Sequence, residues 1–516
     1  MESTAYLQPT QIVEERKETE LTKSMKRQFP LFGLGSLLYS LFYAFCLYKN
    51  ASGITYPFFV IGTLYFFFFC MRKLGIPFKK DSVFYIVSVV LLGLSNCMTA
   101  SLPLLFMNKC GIFFLTVTLM LHTIYRDESW NFPKYFSAVF RTAGGVFACL
   151  LRPFSDMISY FDAQKQEKAD KKIYFLPVLT GICIAIPLLL LITMLLASAD
   201  VIFDNIFGSI IENLNISNIF KIFILMAAVF FFSYAVFATL CKKGIQEETK
   251  DKRHFDPVIA IVVTSLLGVL YLLFCGIQIL YLFIGNMTLP DGYTYARYAR
   301  EGFFQLLAVC IINLILVLIC LGLFRESRVL KGILTVICGC TFIMIFSSAL
   351  RMILYIDTYS LTFLRVFVLW SLAVIFALMA GVTVSIFHKR FPLFLYGTIT
   401  VTVCYLILSF AHPDYWIARY NLNYSGKMYL SELSADAAPV ILNPSVNPDL
   451  ISVEDMLEKT AYDPNISNVR SRDYDDDYYD SYWMKSFYCK MEDDTREMGI
   501  RTFNFSLYQA KKYMEH

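Results

Sequence analysis

The chain has 516 residues, 57% hydrophobic and only 17% charged, with 48 Phe, 33 Tyr and a formal net charge of +4. Apolar runs near twenty residues recur along it, the length that a ~30 Å hydrocarbon core requires, which excludes an ordinary soluble domain. From residue 421 onward 17 acidic residues stand against 10 basic ones, which leaves +11 on the remainder. An acidic tail on a basic body argues against nucleic-acid binding, which calls for a clustered basic face.

Thirteen of the fourteen cysteines lie in or beside the apolar portion, where a thiol serves as a small hydrophobe. Cys489 alone sits in the tail and has no internal disulfide partner there. Cys338 and Cys340 lie inside one apolar run without a second pair at zinc-like spacing, so they read as packing, and no metal or other cofactor is expected.

Residues 1–28 are polar and show no apolar h-region with a small-residue cleavage site, so they read as a cytoplasmic tail rather than a signal peptide. Eleven spans are expected near 29–48, 54–71, 83–101, 104–125, 173–197, 217–240, 257–285, 302–324, 331–355, 359–387 and 392–411. The third and fourth are divided only by Ser101-Leu102-Pro103. With the N-terminus inside, the inner segments carry 27 Lys and Arg while the alternate loops carry few, the asymmetry of the positive-inside rule. An odd number of spans then puts the acidic tail outside.

The expected organisation is a cytoplasmic tail (1–28), four spans (29–125), a cytoplasmic loop (126–172), seven spans (173–411) and an acidic extracytoplasmic tail (412–516). In the loop, Phe132, Phe136, Val139, Phe140, Phe147, Leu150, Phe154 and Phe161 recur at helical spacing with Lys134, Arg141 and Arg152 between them. That pattern predicts an interfacial amphipathic helix on an anionic leaflet, broken at Pro153. In the tail, residues 431–441 and 453–461 read as helical. The run 472–480 reads as a solvated loop, and its Asp475 to Asp477 triplet lacks the glycine and distal glutamate of a calcium loop.

Charge gathers at the outer ends of the later spans. Asp200 and Asp204 follow the fifth, Arg297, Arg300 and Glu301 lead into the eighth, and Arg351, Asp357 and Arg365 flank the hairpin between the ninth and tenth. Asp414 and Arg419 follow the eleventh. Arg297 and Glu301 are i,i+4 neighbours on a helix. Charge inside a span is costly and is a functional hypothesis by default, and guanidinium forks suit anionic groups. The candidate ligand site is therefore Arg297, Arg300, Glu301, Arg351, Asp357, Arg365 and Arg419. The plain alternative is a set of ion pairs that locks loops and tail onto the spans.

Several stretches at this face resemble an uncharacterised bacterial multi-pass membrane family, the domain of unknown function 4173, related to 4153. They are Leu196-Ala-Ser-Ala-Asp200, residues 295–305, residues 347–365, Ala418-Arg-Tyr-Asn421 and Leu433-Ser-Ala-Asp-Ala-Ala-Pro439, so the resemblance spans roughly 170–440. Ser360 departs from it, standing where the hairpin usually has glycine, and Asn423-Tyr424 lacks an expected arginine. The resemblance implies a bacterial cytoplasmic membrane protein and brings no activity with it.

Three functional classes then compete. A transporter or channel would hold an anion in an outer vestibule, but the first seven spans carry almost no ionisable residue at their centres; Asn96, His122, Gln278 and Asn313 are single polar residues of the kind that join helices. A sensor or assembly protein would pass a signal from the outer cluster to the inner amphipathic loop. It would act through an unidentified protein partner or a small anionic ligand. An enzyme on lipid or cell-wall precursors ranks last, because no His-Glu-x-x-His or Gly-x-Ser-x-Gly motif is present. The expectation is an all-α polytopic transmembrane bundle in the lipid bilayer, leaning away from catalysis. Its function would be ligand sensing or solute handling at the outer face.

Overall fold

The computed structural model describes residues 18–127, 130–167, 192, 196, 199–200, 216–245, 253, 255–280, 295–388, 390–423, 427–447, 476–496 and 498–515. Among these the chain is helical, and its only extended pairing is an isolated bridge between Phe255 and Phe324. After a short α1 (Glu20–Arg27) come α2 (Phe29–Leu47), α3 (Thr55–Lys73), α4 (Ser82–Met98) and α5 (Leu102–Ile124). Next are α6 (Phe132–Ala148), α7 (Arg152–Glu167), α8 (Ile216–Cys241) and α9 (Pro257–Gln278). The second half holds α10 (Tyr295–Leu323), α11 (Arg328–Tyr359), α12 (Phe363–Phe387) and α13 (Leu393–Phe410). A tail of α14 (Pro413–Asn421), two 3-10 turns, α15 (Ala438–Ile441), α16 (Asp476–Arg496) and α17 (Phe505–Met514) follows.

Nine of the described helices, α2, α3, α5 and α8 to α13, are long and apolar enough to cross a membrane, and α4 is a shorter apolar helix. They match ten of the expected spans. The remaining one, the expected fifth span at 173–197, lies outside the described residues save Ile192 and Leu196. Prolines start several of these helices, as Pro103 does in α5 and Pro257 in α9, where the missing N–H costs nothing. In α9 the Asp256 carboxylate also accepts the Val258 N–H at 2.9 Å, an ordinary N-cap. The division between α4 and α5 falls at 99–101, as Ser101 and Pro103 foretold.

Between lipid-exposed helices the apolar effect supplies little association energy, so packing and interhelical hydrogen bonds must hold the bundle. Large apolar side chains such as Phe58, Tyr65, Leu266, Leu273 and Ile407 point outward and are exposed. Inside, small residues meet large ones: a Cβ on Gly62 would strike Phe42, and one on Gly381 would strike Tyr396. A polar knot joins α4, α5 and α13. Ser95 and Ser409 share a hydrogen bond at 2.5 Å, and Ser409 and Tyr405 both donate to Asn108 Oδ1 at 2.7 Å. One apolar core unites α9 to α12, others lie among α1 to α8, and α13 bridges the halves through α4 and α12.

The helix ends alternate between two faces. On the basic face, Lys79 donates to the carbonyls of His122 and Tyr125, and Thr19 Oγ1 donates to Cys241 O at 2.5 Å. The expected amphipathic stretch lies there as two helices, α6 and α7, divided at 149–151 rather than at Pro153, which sits in the first turn of α7 where a missing N–H is tolerated; Phe132, Phe136, Phe140, Phe147 and Phe154 are exposed. On the other face, Tyr48 donates to Asn218 at 3.2 Å, so α2 ends beside the start of α8. Thus α7 ends at Glu167 on one face and α8 begins at Ile216 on the other.

The tail folds against this second face as a helical cap with its own core: Ile417, Val440, Ile441, Trp483, Phe487, Met491 and Ala510 are nearly fully buried. Outside the lipid such burial counts at about 1.5–3 kcal/mol per large side chain. The tail differs from expectation in two respects. The charge run is not a loop throughout, since α16 starts at Asp476 and the apolar residues seven to eight positions on carry it into the cap. Residues 431–441 form two 3-10 turns and the short α15 rather than one helix, because Pro439 permits only a new start. The expected helix at 453–461 lies outside the described residues.

Candidate functional site

Among the described residues, the α2–α3, α4–α5 and α11–α12 loops on the cap face are each tied to the tail by polar side chains. Asn50 Nδ2 donates to Arg501 O at 3.1 Å, and the Ile54 N–H donates to Phe503 O at 2.7 Å, which fastens the α2–α3 loop. Asn504 caps α17 through its Oδ1, while its Nδ2 reaches Ser52 O at 3.1 Å and Thr99 O at 3.0 Å. Asn421 reads the α11–α12 turn in both directions. It accepts the Leu361 N–H at 2.8 Å and donates to Leu361 O at 2.7 Å.

At the centre of these ties stands Asp436, whose side chain is fully buried. It accepts Thr99 Oγ1 at 2.5 Å, the Ala100 N–H at 2.8 Å, Ser506 Oγ and His412 Nδ1 at 3.2 Å. Burial pushes this carboxyl up, but the bonds from His412, Ser506, Thr99 and Ala100 outweigh it and hold it below the usual carboxylate range. Its hydrogen bond to Asp436 raises the His412 imidazole against an opposing effect of burial. Asp414 lies nearby, buried and bonded by Ser434 Oγ at 2.6 Å, and its desolvation raises its own carboxyl.

The α11–α12 turn occupies 360–362 rather than the expected 356–358, because α11 runs on to Tyr359. Ser360 has φ 69° and ψ 179°, a region essentially reserved for glycine. Arg365 holds this turn. Its Nη1 donates to Tyr359 O at 2.6 Å and also to Ser360 O, and its guanidinium lies 4.3 Å from the Tyr355 ring centroid. Beside it is a cavity of about 150 Å³ lined by Phe303, Phe304, Tyr355, Thr362, Leu364 and Arg365.

Arg351 is buried one hairpin arm deeper, two turns before the end of α11. It donates to Gln278 Oε1 at 3.2 Å, which also accepts Ser347 Oγ at 2.7 Å. Gly302 must lack a side chain here, since a Cβ would collide with the Arg351 guanidinium. Asp357 is exposed and accepts Tyr420 OH at 3.2 Å. Arg419 is exposed in the last turn of α14. Arg297, Arg300 and Glu301 sit in the first two turns of α10, and their side chains lie outside the described residues.

Of the sequence-selected set, then, Arg351 and Arg365 belong to the same hairpin and border the same α10 segment. Asp357 and Arg419 lie outward of them. Asp436, His412, Thr99, Asn504 and Ser506 were not selected. The one trace of them was Asp436 inside Leu433-Ser-Ala-Asp436, a stretch noted for its resemblance rather than for its chemistry. Among the described residues no group of three or more His, Cys, Asp or Glu is arranged to hold a metal.

A helical bundle with nine described helices of membrane-crossing length, capped on one face by its own tail, defines a multi-pass membrane protein. The family model described as a domain of unknown function, DUF4153, matches residues 86–443, and the chain belongs to this family. The match begins in α4, earlier than the stretch near 170 where the resemblance was read. No curated protein and no solved structure matches the chain.

Proposed function

We propose that the protein is a ligand sensor or solute-handling protein of the cytoplasmic membrane, with the cap face outside and its responsive element at the α11–α12 hairpin. The observation that carries this is the double placement of Arg365. It lines the cavity beside α10, and it also holds the carbonyls of the strained Ser360 turn. A small anionic group entering the cavity would compete for the guanidinium with those carbonyls. The turn is bonded to Asn421 of the cap, so the exchange would reach the tail. Strained residues at φ near +70° and ψ near 180° store about 1–3 kcal/mol and cluster at switches.

The candidate set of Arg297, Arg300, Glu301, Arg351, Asp357, Arg365 and Arg419 would supply the charge around that cavity. The division into a cytoplasmic N-terminal tail, spans 29–125, an inner loop, spans 173–411 and an outer tail from 412 is part of the same proposal. So is the closer relation to the 4173 branch.

A second reading, a structural or assembly protein acting through protein partners, is favoured by a separate observation: the hydrogen bonds of Arg365 to Tyr359 and Ser360 serve the fold itself. A thermal-shift screen against anionic metabolites, comparing wild type with Arg365→Gln, separates the two. A ligand at a hundredfold excess over Kd stabilises by about 2.7 kcal/mol. A shift seen in wild type and lost in a folded Arg365→Gln supports sensing. A flat screen with a strongly destabilised variant supports assembly.

A further inference from the structure

On the basic face, away from the cap, the ends of α3, α5 and α8 surround a cavity of about 430 Å³. Its cationic lining is Lys79, Arg126 and Lys243, and among the described residues no Asp or Glu borders it; Leu21, Leu74 and Ile76 form an apolar wall. The three cations are not equivalent. Lys79 gives its ammonium to the carbonyls of His122 and Tyr125, which are orphan acceptors at the C-terminal end of α5. The side chains of Arg126 and Lys243 are exposed and make no hydrogen bond or ion pair with any described residue. The nearest carboxylate in sequence, Asp127, is turned inward and engaged by His122 at 2.8 Å and by Tyr135.

Two cations facing one cavity, with no acidic neighbour among the described residues, gather positive charge at the ends of three membrane-length helices. We infer that this cavity binds a phosphate-bearing anion, the phosphate between Arg126 and Lys243 and an alkyl portion along the Leu21, Leu74 and Ile76 wall. The volume lies within the usual range for small-ligand sites. A lipid headgroup and a soluble phosphate ester share this chemistry. The apolar wall and the interfacial depth favour the lipid.

The test uses the full chain in a neutral detergent, with thermal shift and native mass spectrometry as readouts. Phosphatidylglycerol is compared with phosphatidylcholine of the same acyl chains, and with glycerol 3-phosphate and inorganic phosphate. Arg126→Gln/Lys243→Gln is set beside a control pair of equal charge loss on exposed positions, Arg72→Gln/Arg141→Gln. At about fivefold per surface cation, the cavity pair should weaken phosphatidylglycerol binding on the order of thirtyfold. Lys243→Gln alone should weaken it roughly fivefold, and it serves if the double variant does not fold. A preference for phosphatidylglycerol that only the cavity variants lose supports the site with a lipid occupant. The same loss, with glycerol 3-phosphate binding as tightly, supports it with a soluble one. Equal response to both lipids, an equal loss in the control pair, or full retention in the cavity variants would overturn it.

Discussion

At the cap face Asp436 is saturated by four donors and Arg365 is committed to two backbone carbonyls, whereas at the basic face Arg126 and Lys243 have no partner among the described residues. Both faces carry charge at membrane ends, and composition alone ranks them alike. The difference lies in where the hydrogen-bonding capacity goes. Charge spent internally joins loops into one body, and unspent charge beside a cavity is available to something outside the chain. The cap face also gathers its polar groups from distant parts of the sequence: Thr99 and Asp436 are 337 residues apart. The basic face assembles its cavity from loops next to helix ends.

The sharpest way to break this contrast is Asp436→Ala. It strands Thr99 Oγ1, Ser506 Oγ, His412 and the Ala100 N–H in a buried site, at a cost of about 3–5 kcal/mol. Hydrogen exchange should show α14 to α17 losing protection while α1, α3 and α5 keep theirs. Equal loss at both faces would mean that the cap and the bundle are one cooperative unit.

Ser360→Gly probes the same face with the opposite sign. Relief of the strained backbone should stabilise the protein by about 1 kcal/mol, read as a raised Tm. A neutral or lowered Tm would show that the turn carries no stored strain for a sensor to use.

The pH response sharpens the comparison further, with an effect expected to be smaller still. The folded state raises the His412 pKa above its ordinary 6.5. Its contribution is therefore complete below about 6.5 and is lost as pH rises through the raised value. Asp436, held below its ordinary 3.8, contributes above that value and loses its contribution as pH falls through the lowered one. Cap protection should thus decline on the alkaline side in wild type, and His412→Gln should remove that decline. A variant with the same alkaline profile would assign it to another group.

The spans were legible in the sequence because a hydrocarbon core imposes length and apolarity residue by residue. Ten of them stand within a few residues of where the apolar runs put them, and Pro103 and Pro257 mark helix starts by local chemistry. The aromatic stripe from Phe132 to Phe161 was equally readable, since 3–4 spacing is a property of one helix. Arg351 and Arg365 could be singled out because charge in an apolar run is conspicuous.

What the sequence could not reveal is which charges meet. Asp436 and Thr99, Asn504 and Ser52, or Lys79 and the end of α5 become neighbours only when distant helices pack, and no local pattern encodes such a pairing. The cap was hidden for the same reason: the acidic run conceals that Trp483, Phe487 and Met491 share one buried face with Ile417 and Val440. Helicity, membrane length and sidedness of charge follow from short-range physics that each segment carries alone. Whether a buried carboxylate is a ligand site or a clasp, and whether a surface arginine is spent or free, depends on partners supplied from elsewhere in the chain, and only the tertiary structure decides it.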